Sequence, residues 1–205
     1  MIKKVSIIAI ITVVVASLAI VAIAKYQRVV QPAIARGLSA ATDPNGDLSN
    51  LEADTLILAA RATAAPEFAK GIWINSDPLT LLQLRGHVVL VEFWAIGCDN
   101  CRNTLPSVKE WDAKYRDRGL TIVGVHTPET QSEYVIDIVR REVPSLGIKY
   151  AIVTDNDYQT WKAYGVEAWP TILVLDKQGR IRWLHVGEGS YDKTEAVINK
   201  LLAED

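Results

Sequence analysis

The sequence predicts an α/β domain with a mixed central sheet, preceded by one N-terminal transmembrane helix. Three observations lead to this fold class. Short apolar runs of strand length alternate with amphipathic stretches of helix length through the second half of the chain. The last two strands flank a tight turn, which adds antiparallel pairing to an otherwise parallel sheet. A long run without charges lies near the N-terminus, ahead of these elements.

The uncharged run covers residues 5–24 and follows Lys3 and Lys4. About 20 apolar residues is the length that crosses a bilayer as a helix. The positive start predicts that the N-terminus stays in the cytoplasm while the rest is translocated. We therefore expect residues 1–24 to form an uncleaved single-pass anchor with an extracytoplasmic C-terminal domain. A secretory signal cleaved after Ala24, at an A-x-A-like site, is the alternative.

The rest of the chain divides into a linker and a folded domain. Residues 25–64 are rich in Ala, Ser and Thr and contain the turn sequence Asp43-Pro44-Asn45-Gly46, which is typical of a linker. The strand and helix patterns begin after this stretch. We therefore expect the domain to span residues 65–205.

Composition excludes two classes of protein. The formal net charge of −2, without a basic stripe, argues against binding to nucleic acid. The chain has two cysteines, which cannot form the disulfide framework of a small secreted domain. Because a bridge between cysteines so close in sequence closes a very short loop, chemistry explains the pair better than stability does.

The elements of the domain follow from the spacing of apolar residues. The run from Val88 to Trp94 is β-branched and aromatic throughout, which is typical of a buried central strand. The next stretch places apolar residues on one helical face and ends at Gly119. The later predicted elements are a strand at Leu120–Val125, a helix at Glu129–Glu142, a strand at Tyr150–Val153, a short helix at Tyr158–Tyr164, strands at Thr171–Asp176 and Ile181–Val186, and a helix at 191–203.

Cys98 and Cys101 lie where the first strand turns into the first helix. A helix N-terminus carries partial positive charge and free N–H groups, which stabilise a thiolate. Two intervening residues allow the second sulfur to resolve a mixed disulfide. The position therefore predicts a redox pair in which Cys98 attacks and Cys101 resolves. A zinc site is disfavoured because the three histidines lack ligand spacing, so we expect neither a metal nor another cofactor.

Several motifs resemble those of thioredoxins and, more closely, of TlpA/ResA-like proteins, particularly the thioredoxin-like domain of the DipZ type. The resemblance covers about residues 65–192 and implies a thioredoxin-like fold. The motifs that carry it are Ala65-Pro66-Glu67-Phe68, Val91-Glu92-Phe93-Trp94-Ala95 before the cysteines, Leu105-Pro106, Gly124-Val125-His126-Thr127-Pro128-Glu129, Asp155-Asn156-Asp157-Tyr158, Trp169-Pro170 and Gly187-Glu188-Gly189.

The resemblance also implies roles for residues away from the cysteines. Pro170 takes the place of the cis-proline that faces the disulfide, where the flanking backbone can pair with an extended substrate. Glu92 matches the buried acid that exchanges a proton with the resolving thiol. The residues expected to contact the substrate are Trp94, Gly97 and Trp169.

These features predict a membrane-anchored, extracytoplasmic thiol–disulfide oxidoreductase of the protein-disulfide reductase type. Its expected partners are protein disulfides and dithiols, with a membrane electron donor as the source of electrons. The alternative is a Cu(I)-binding metallochaperone that uses the paired thiolates, with His126 as the only conceivable extra ligand. We otherwise interpret His126 as a solvated loop histidine. Gly97 and Asp99 depart from the patterns that would set the direction of exchange.

Overall fold

The computed structural model describes residues 51–204. The expected anchor at residues 1–24 and most of the expected linker lie outside the described residues. Within the described part of the chain, none of the helices combines the length and the apolar character that a bilayer crossing requires. The membrane anchor therefore stays a prediction from the sequence.

The described residues form one mixed sheet of six strands. The central strands β2, β3 and β4 run parallel, and β1, β5 and β6 pair antiparallel with their neighbours. This arrangement confirms the α/β fold with a mixed sheet, the part of the predicted fold class that lies in the described residues. Strand β1 was not predicted, because it is too short to give a sequence pattern. In the order β1-β4-β3-β2-β5-β6 across the sheet, the strands are β1 Trp73–Ile74, β4 Ala151–Thr154, β3 Leu120–His126, β2 Val88–Trp94, β5 Thr171–Leu175 and β6 Ile181–Val186.

Four α-helices connect and cover the strands of the described region: α1 Asp99–Tyr115, α2 Ile136–Ser145, α3 Gln159–Ala163 and α4 Tyr191–Ala203. The helix expected at Glu129–Glu142 is instead divided into a 3₁₀ turn at Gln131–Tyr134 and α2. Val135 has an extended backbone between them, with φ −83° and ψ 107°. The division has a physical cause, because the Glu133 side chain turns back toward the loop that follows β2.

Strand β2 is buried on both of its faces. Successive side chains of a strand point to opposite sides of the sheet. Val89, Val91 and Phe93 enter one apolar cluster, whereas Leu90 and Trp94 enter the other, which also contains both cysteines. Glu92 therefore lies on the same side of the sheet as the two sulfur atoms.

The stretch from residue 51 to 64, which the sequence places in the linker, runs beside β6. Its backbone exchanges hydrogen bonds with that strand and with the turn before it. Asp54 adds a side-chain contact, since its Oδ1 lies 2.8 Å from Nδ1 of His185. The backbone contacts are Asp54 N to Leu184 O (2.8 Å), Ile57 N to Arg182 O (2.8 Å), Ile181 N to Thr63 O (2.8 Å) and a bridge between Ala64 and Arg180.

Candidate active site

A disulfide joins Cys98 and Cys101 at the N-terminus of α1. Cys98 is the N-cap residue of this helix, and its Sγ accepts a hydrogen bond from the Cys101 N–H at 3.1 Å. The sulfur thus lies against an N–H group of the first helical turn, at the positive end of the helix dipole. The local structure follows from the sequence, because the chain turns directly from buried β2 into α1.

The two sulfur-bearing residues differ in exposure. Cys98 is 7% exposed, whereas Cys101 is completely buried. Of the two residues, Cys98 is therefore the one that has any exposed surface. This difference agrees with the predicted order of attack, although Cys98 is more enclosed than a freely exposed thiol.

Glu92 is a completely buried acid in the middle of β2. The Tyr150 hydroxyl donates a hydrogen bond to Glu92 Oε2 at 2.9 Å, and Oε1 has no hydrogen-bond partner among the described residues. Burial disfavours the charged carboxylate and raises its pKa to about 7, although the Tyr150 hydrogen bond acts in the opposite direction. Such a group can hold or release a proton near neutral pH, on the side of the sheet where the cysteines pack.

The Trp169–Pro170 peptide bond is cis, which the resemblance implied and the structure confirms. Pro170 is buried directly before β5, and its carbonyl accepts a hydrogen bond from Gly187 N at 2.7 Å. Trp169 is half-buried, and its ring centroid lies 4.4 Å from that of Trp161. The expected contact of Pro170 with substrate stays a prediction.

Gly97 and Trp94, the other two residues expected to contact substrate, lie in different environments. Gly97 is exposed, and a Cβ atom at this position would lie 3.1 Å from Glu133 Oε1, so the close approach favours glycine. Trp94 is 1% exposed and belongs to the core. The Trp94 side chain therefore faces inward, and its ring packs edge-on against His126 at 5.3 Å.

His126 is completely buried at the end of β3, so its interpretation as a solvated loop histidine is wrong. The strand extends one residue further than its apolar pattern indicated. The ring then packs against Trp94, and its Nε2 lies 3.1 Å from Glu133 Oε2. This pairing also disfavours the metallochaperone alternative, because His126 was its only conceivable extra ligand. Among residues 51–204, no group of three or more His, Cys, Asp or Glu is placed to hold a metal.

Glu133 is the site residue that the sequence reasoning missed. Its buried carboxylate accepts hydrogen bonds from two backbone groups of the loop before Cys98. These donors are Ile96 N at 2.8 Å to Oε2 and Gly97 N at 3.3 Å to Oε1. The sequence did contain a signal, because Thr130-Gln131-Ser132-Glu133 is a capping box, in which the glutamate bonds back to the first residue. That motif accounts for a local turn but does not indicate the contact with a distant loop.

Burial alone would raise the pKa of Glu133, but its hydrogen bonds outweigh this effect. The donors are the His126 ring, the Thr130 side chain and the Ile96 backbone, and together they lower the pKa to about 2. The carboxylate is therefore ionised at neutral pH. A buried negative charge thus lies beside the loop that carries the candidate nucleophile.

A six-stranded sheet with a disulfide at the start of α1 and a cis-proline before β5 defines a thioredoxin-like protein with a dithiol–disulfide site. The chain belongs to the Redoxin family, which it matches over residues 60–202.

The chain is also similar to individual proteins of known sequence or structure. The chain is 41% identical to Protein DipZ of Mycobacterium tuberculosis (strain CDC 1551 / Oshkosh) over 163 residues, which is 77% of this chain and 23% of DipZ. It therefore spans about a quarter of the length of that relative. It is 31% identical to the thiol-disulfide oxidoreductase YkuV of Bacillus subtilis (strain 168) over 133 residues, covering 64% of this chain and 88% of YkuV. The crystal structure of a thiol-disulfide isomerase from Corynebacterium glutamicum superposes with a TM-score of 0.62 at 25% identity, covering 69% of this chain and 98% of that one.

Proposed function

We propose that this protein is a thiol–disulfide oxidoreductase that exchanges the Cys98–Cys101 disulfide with disulfides and dithiols of partner proteins. The observation that carries the proposal is the disulfide itself, placed at the N-terminus of α1 with Cys98 Sγ against a helix N–H group. Membership of the Redoxin family supports it. YkuV, of which the chain covers 88%, is named a thiol-disulfide oxidoreductase.

The proposed exchange proceeds in two steps. In the reductase direction, the Cys98 thiolate attacks one sulfur of the partner's disulfide and releases the other as a thiolate. The Cys101 thiol then loses its proton and attacks Cys98 Sγ, which breaks the mixed disulfide and releases the second partner thiolate. Two electrons pass to the partner, and the Cys98–Cys101 disulfide forms.

In this scheme Glu92 accepts the proton that leaves Cys101. Two facts support the role: Glu92 lies on the cysteine side of the sheet, and its pKa of about 7 allows both protonation states near neutral pH. Tyr150 holds one carboxylate oxygen and leaves the other free to exchange the proton. Pro170, buried before β5, supplies an adjoining backbone with which an extended partner segment pairs.

The proposal is tested by insulin reduction with dithiothreitol as the terminal reductant. The purified protein is expected to accelerate precipitation of the insulin B chain well above the rate with dithiothreitol alone. No acceleration of insulin reduction or of oxidative refolding at micromolar protein would contradict the function. A protein that failed in this assay but accelerated oxidative refolding of a reduced substrate would work in the opposite direction from the one we favour.

We also propose that residues 1–24 hold the domain on the outer side of a membrane, where it receives electrons from a membrane donor. The uncharged run after Lys3 and Lys4 supports this location. When expressed in a bacterial host, the full chain is expected to sediment with membranes and resist carbonate extraction, whereas a variant without residues 1–24 is not. Protease added outside spheroplasts should digest the domain. A mature N-terminus immediately after Ala24 would instead establish a cleaved signal.

A further inference from the structure

In the loop between β2 and Cys98, charged side chains bind both the backbone N–H and the carbonyl of Ile96. Glu133 Oε2 accepts the Ile96 N–H at 2.8 Å, while Arg102 Nε donates to the Ile96 carbonyl at 3.0 Å. The Gly97 N–H adds a second contact with the Glu133 carboxylate. The backbone immediately before the nucleophile is therefore fixed by side chains from two other elements.

The Glu133 carboxylate is itself held from several directions. Thr130 donates to Oε1 from both its backbone N–H, at 3.2 Å, and its hydroxyl, at 2.8 Å. His126 must donate from Nε2, because an ionised carboxylate only accepts hydrogen bonds. With Nδ1 unpartnered among the described residues, a ring protonated at Nε2 satisfies this contact. Tyr158 is the further titratable group that interacts electrostatically with Glu133.

The buried Glu133 carboxylate opposes the stabilising effect of the α1 N-terminus on the Cys98 thiolate. The N-terminus of α1 stabilises a thiolate at Cys98, whereas a buried negative charge next to Gly97 disfavours it. A carboxylate in a water-poor environment acts more strongly than one at the surface, where solvent and salt screen its charge. The reactivity of Cys98 then depends on the balance between the helix terminus and the Glu133–His126 pair.

We propose that Glu133 is a positioning residue for the exchange reaction: it fixes the loop before Cys98, and its charge, moderated by His126, restrains ionisation of that thiol. The inference rests on the proposed function, because it concerns the reactivity of the same cysteine. It gives the capping-box turn at residues 130–133 a second role, in holding the loop before Cys98, which capping of the turn does not require.

Two substitutions are expected to change the reactivity of the Cys98 thiol in opposite directions. Glu133→Gln removes the charge, so Cys98 should be alkylated about threefold faster at pH 7, which corresponds to about half a pKa unit. His126→Phe preserves a buried ring but removes a hydrogen-bond donor from the Glu133 carboxylate. The negative charge of Glu133 should then disfavour the Cys98 thiolate more strongly, and alkylation should slow by a similar factor. The readout is the iodoacetamide rate of the fully reduced protein, with Cys98 located by peptide mass spectrometry. The reduction potential against glutathione should rise for Glu133→Gln and fall for His126→Phe.

Glu129→Gln is the matched control, because it makes the same change on an exposed side chain in the same loop. Its alkylation rate and potential should equal those of the wild type. A merely structural role would lower the thermal stability of both test variants without opposite shifts in reactivity. Equal rates for Glu133→Gln and Glu129→Gln would overturn the inference. If Glu133→Gln does not fold, an unchanged rate in His126→Phe would overturn it as well.

Failure of this inference is distinguishable from failure of the proposed function. Alkylation and glutathione equilibration involve only the two cysteines and need no partner protein. A wild-type protein that catalyses neither insulin reduction nor oxidative refolding would reject the function, whereas the alkylation rates would still measure the effect of Glu133 on Cys98.

Discussion

Cys98→Ser is expected to abolish catalysed insulin reduction, leaving only the rate of dithiothreitol itself. The reason is chemical, because a serine hydroxyl does not ionise near neutral pH and cannot form the mixed disulfide. The expected loss is on the order of a hundredfold or more, measured as the initial rate of insulin precipitation. Retention of wild-type activity would contradict the assignment of Cys98 as the attacking residue.

Cys101→Ser supplies the matched variant for this prediction. It also lacks the disulfide, but it keeps the attacking thiol, so mixed disulfides with partner proteins should accumulate and appear on non-reducing gels. Cys98→Ser should trap none. The reverse pattern would exchange the two roles. Both variants should unfold close to the wild-type temperature, since a bridge over so short a loop restricts the unfolded chain little.

Glu92→Gln is expected to stabilise the protein at pH 8 and to slow its exchange reaction. The pKa of Glu92 is raised from 4.5 to about 7 in the folded state. The carboxyl group therefore ionises first in the unfolded chain, and folding is weakened as pH rises between these two values. The resulting loss of folding stability is about 3 kcal/mol. It is present in full above about pH 7 and absent below about pH 4.5. The glutamine side chain of the variant stays neutral and avoids this penalty. Denaturant unfolding at pH 5 and pH 8 measures the effect.

The same substitution removes the proposed proton acceptor for Cys101, so insulin reduction at pH 7 should fall about 10- to 100-fold. Tyr150→Phe is the control, because it keeps the carboxyl group and removes the hydrogen bond that lowers its pKa. The pH range over which stability is lost should then move upward. If Glu92→Gln were destabilised equally at pH 5 and pH 8, its effect would reflect packing rather than ionisation. If Glu92→Gln reduced insulin at the wild-type rate, Glu92 would have no part in the proposed mechanism.

The features that the sequence predicted best were those with a strong local pattern. The strands at Val88–Trp94 and Ile181–Val186 and the helix at 191–203 have the predicted bounds. Each element is defined by its own apolar pattern, so contacts with distant residues did not change its bounds. The cis bond before Pro170 is different, because only the resemblance to known motifs distinguished it from an ordinary proline at a strand start.

The features that were missed depend on contacts between residues far apart in sequence. The helix expected at Glu129–Glu142 is divided because Glu133 bonds to Ile96, a residue 37 positions earlier. Burial of His126 has the same origin, since its ring packs against Trp94 of the neighbouring strand β2, a contact that a polar residue at a strand end does not indicate. Residues 51–64 have no strand pattern, yet their backbone pairs with β6. A sequence pattern reports local preference, and these contacts arise only when the domain packs.

The segment beside β6 has a further consequence for self-association. Three backbone groups of β6, at Ile181, Arg182 and Leu184, are hydrogen-bonded to residues of this segment. The opposite edge of the sheet is the two-residue strand β1. An exposed long edge is the usual template for intermolecular strand pairing and aggregation. One edge of this sheet is therefore partly covered by the chain itself, and the other is very short. Loss of the segment would uncover β6, which makes residues 51–64 a protection against aggregation as well as a connection.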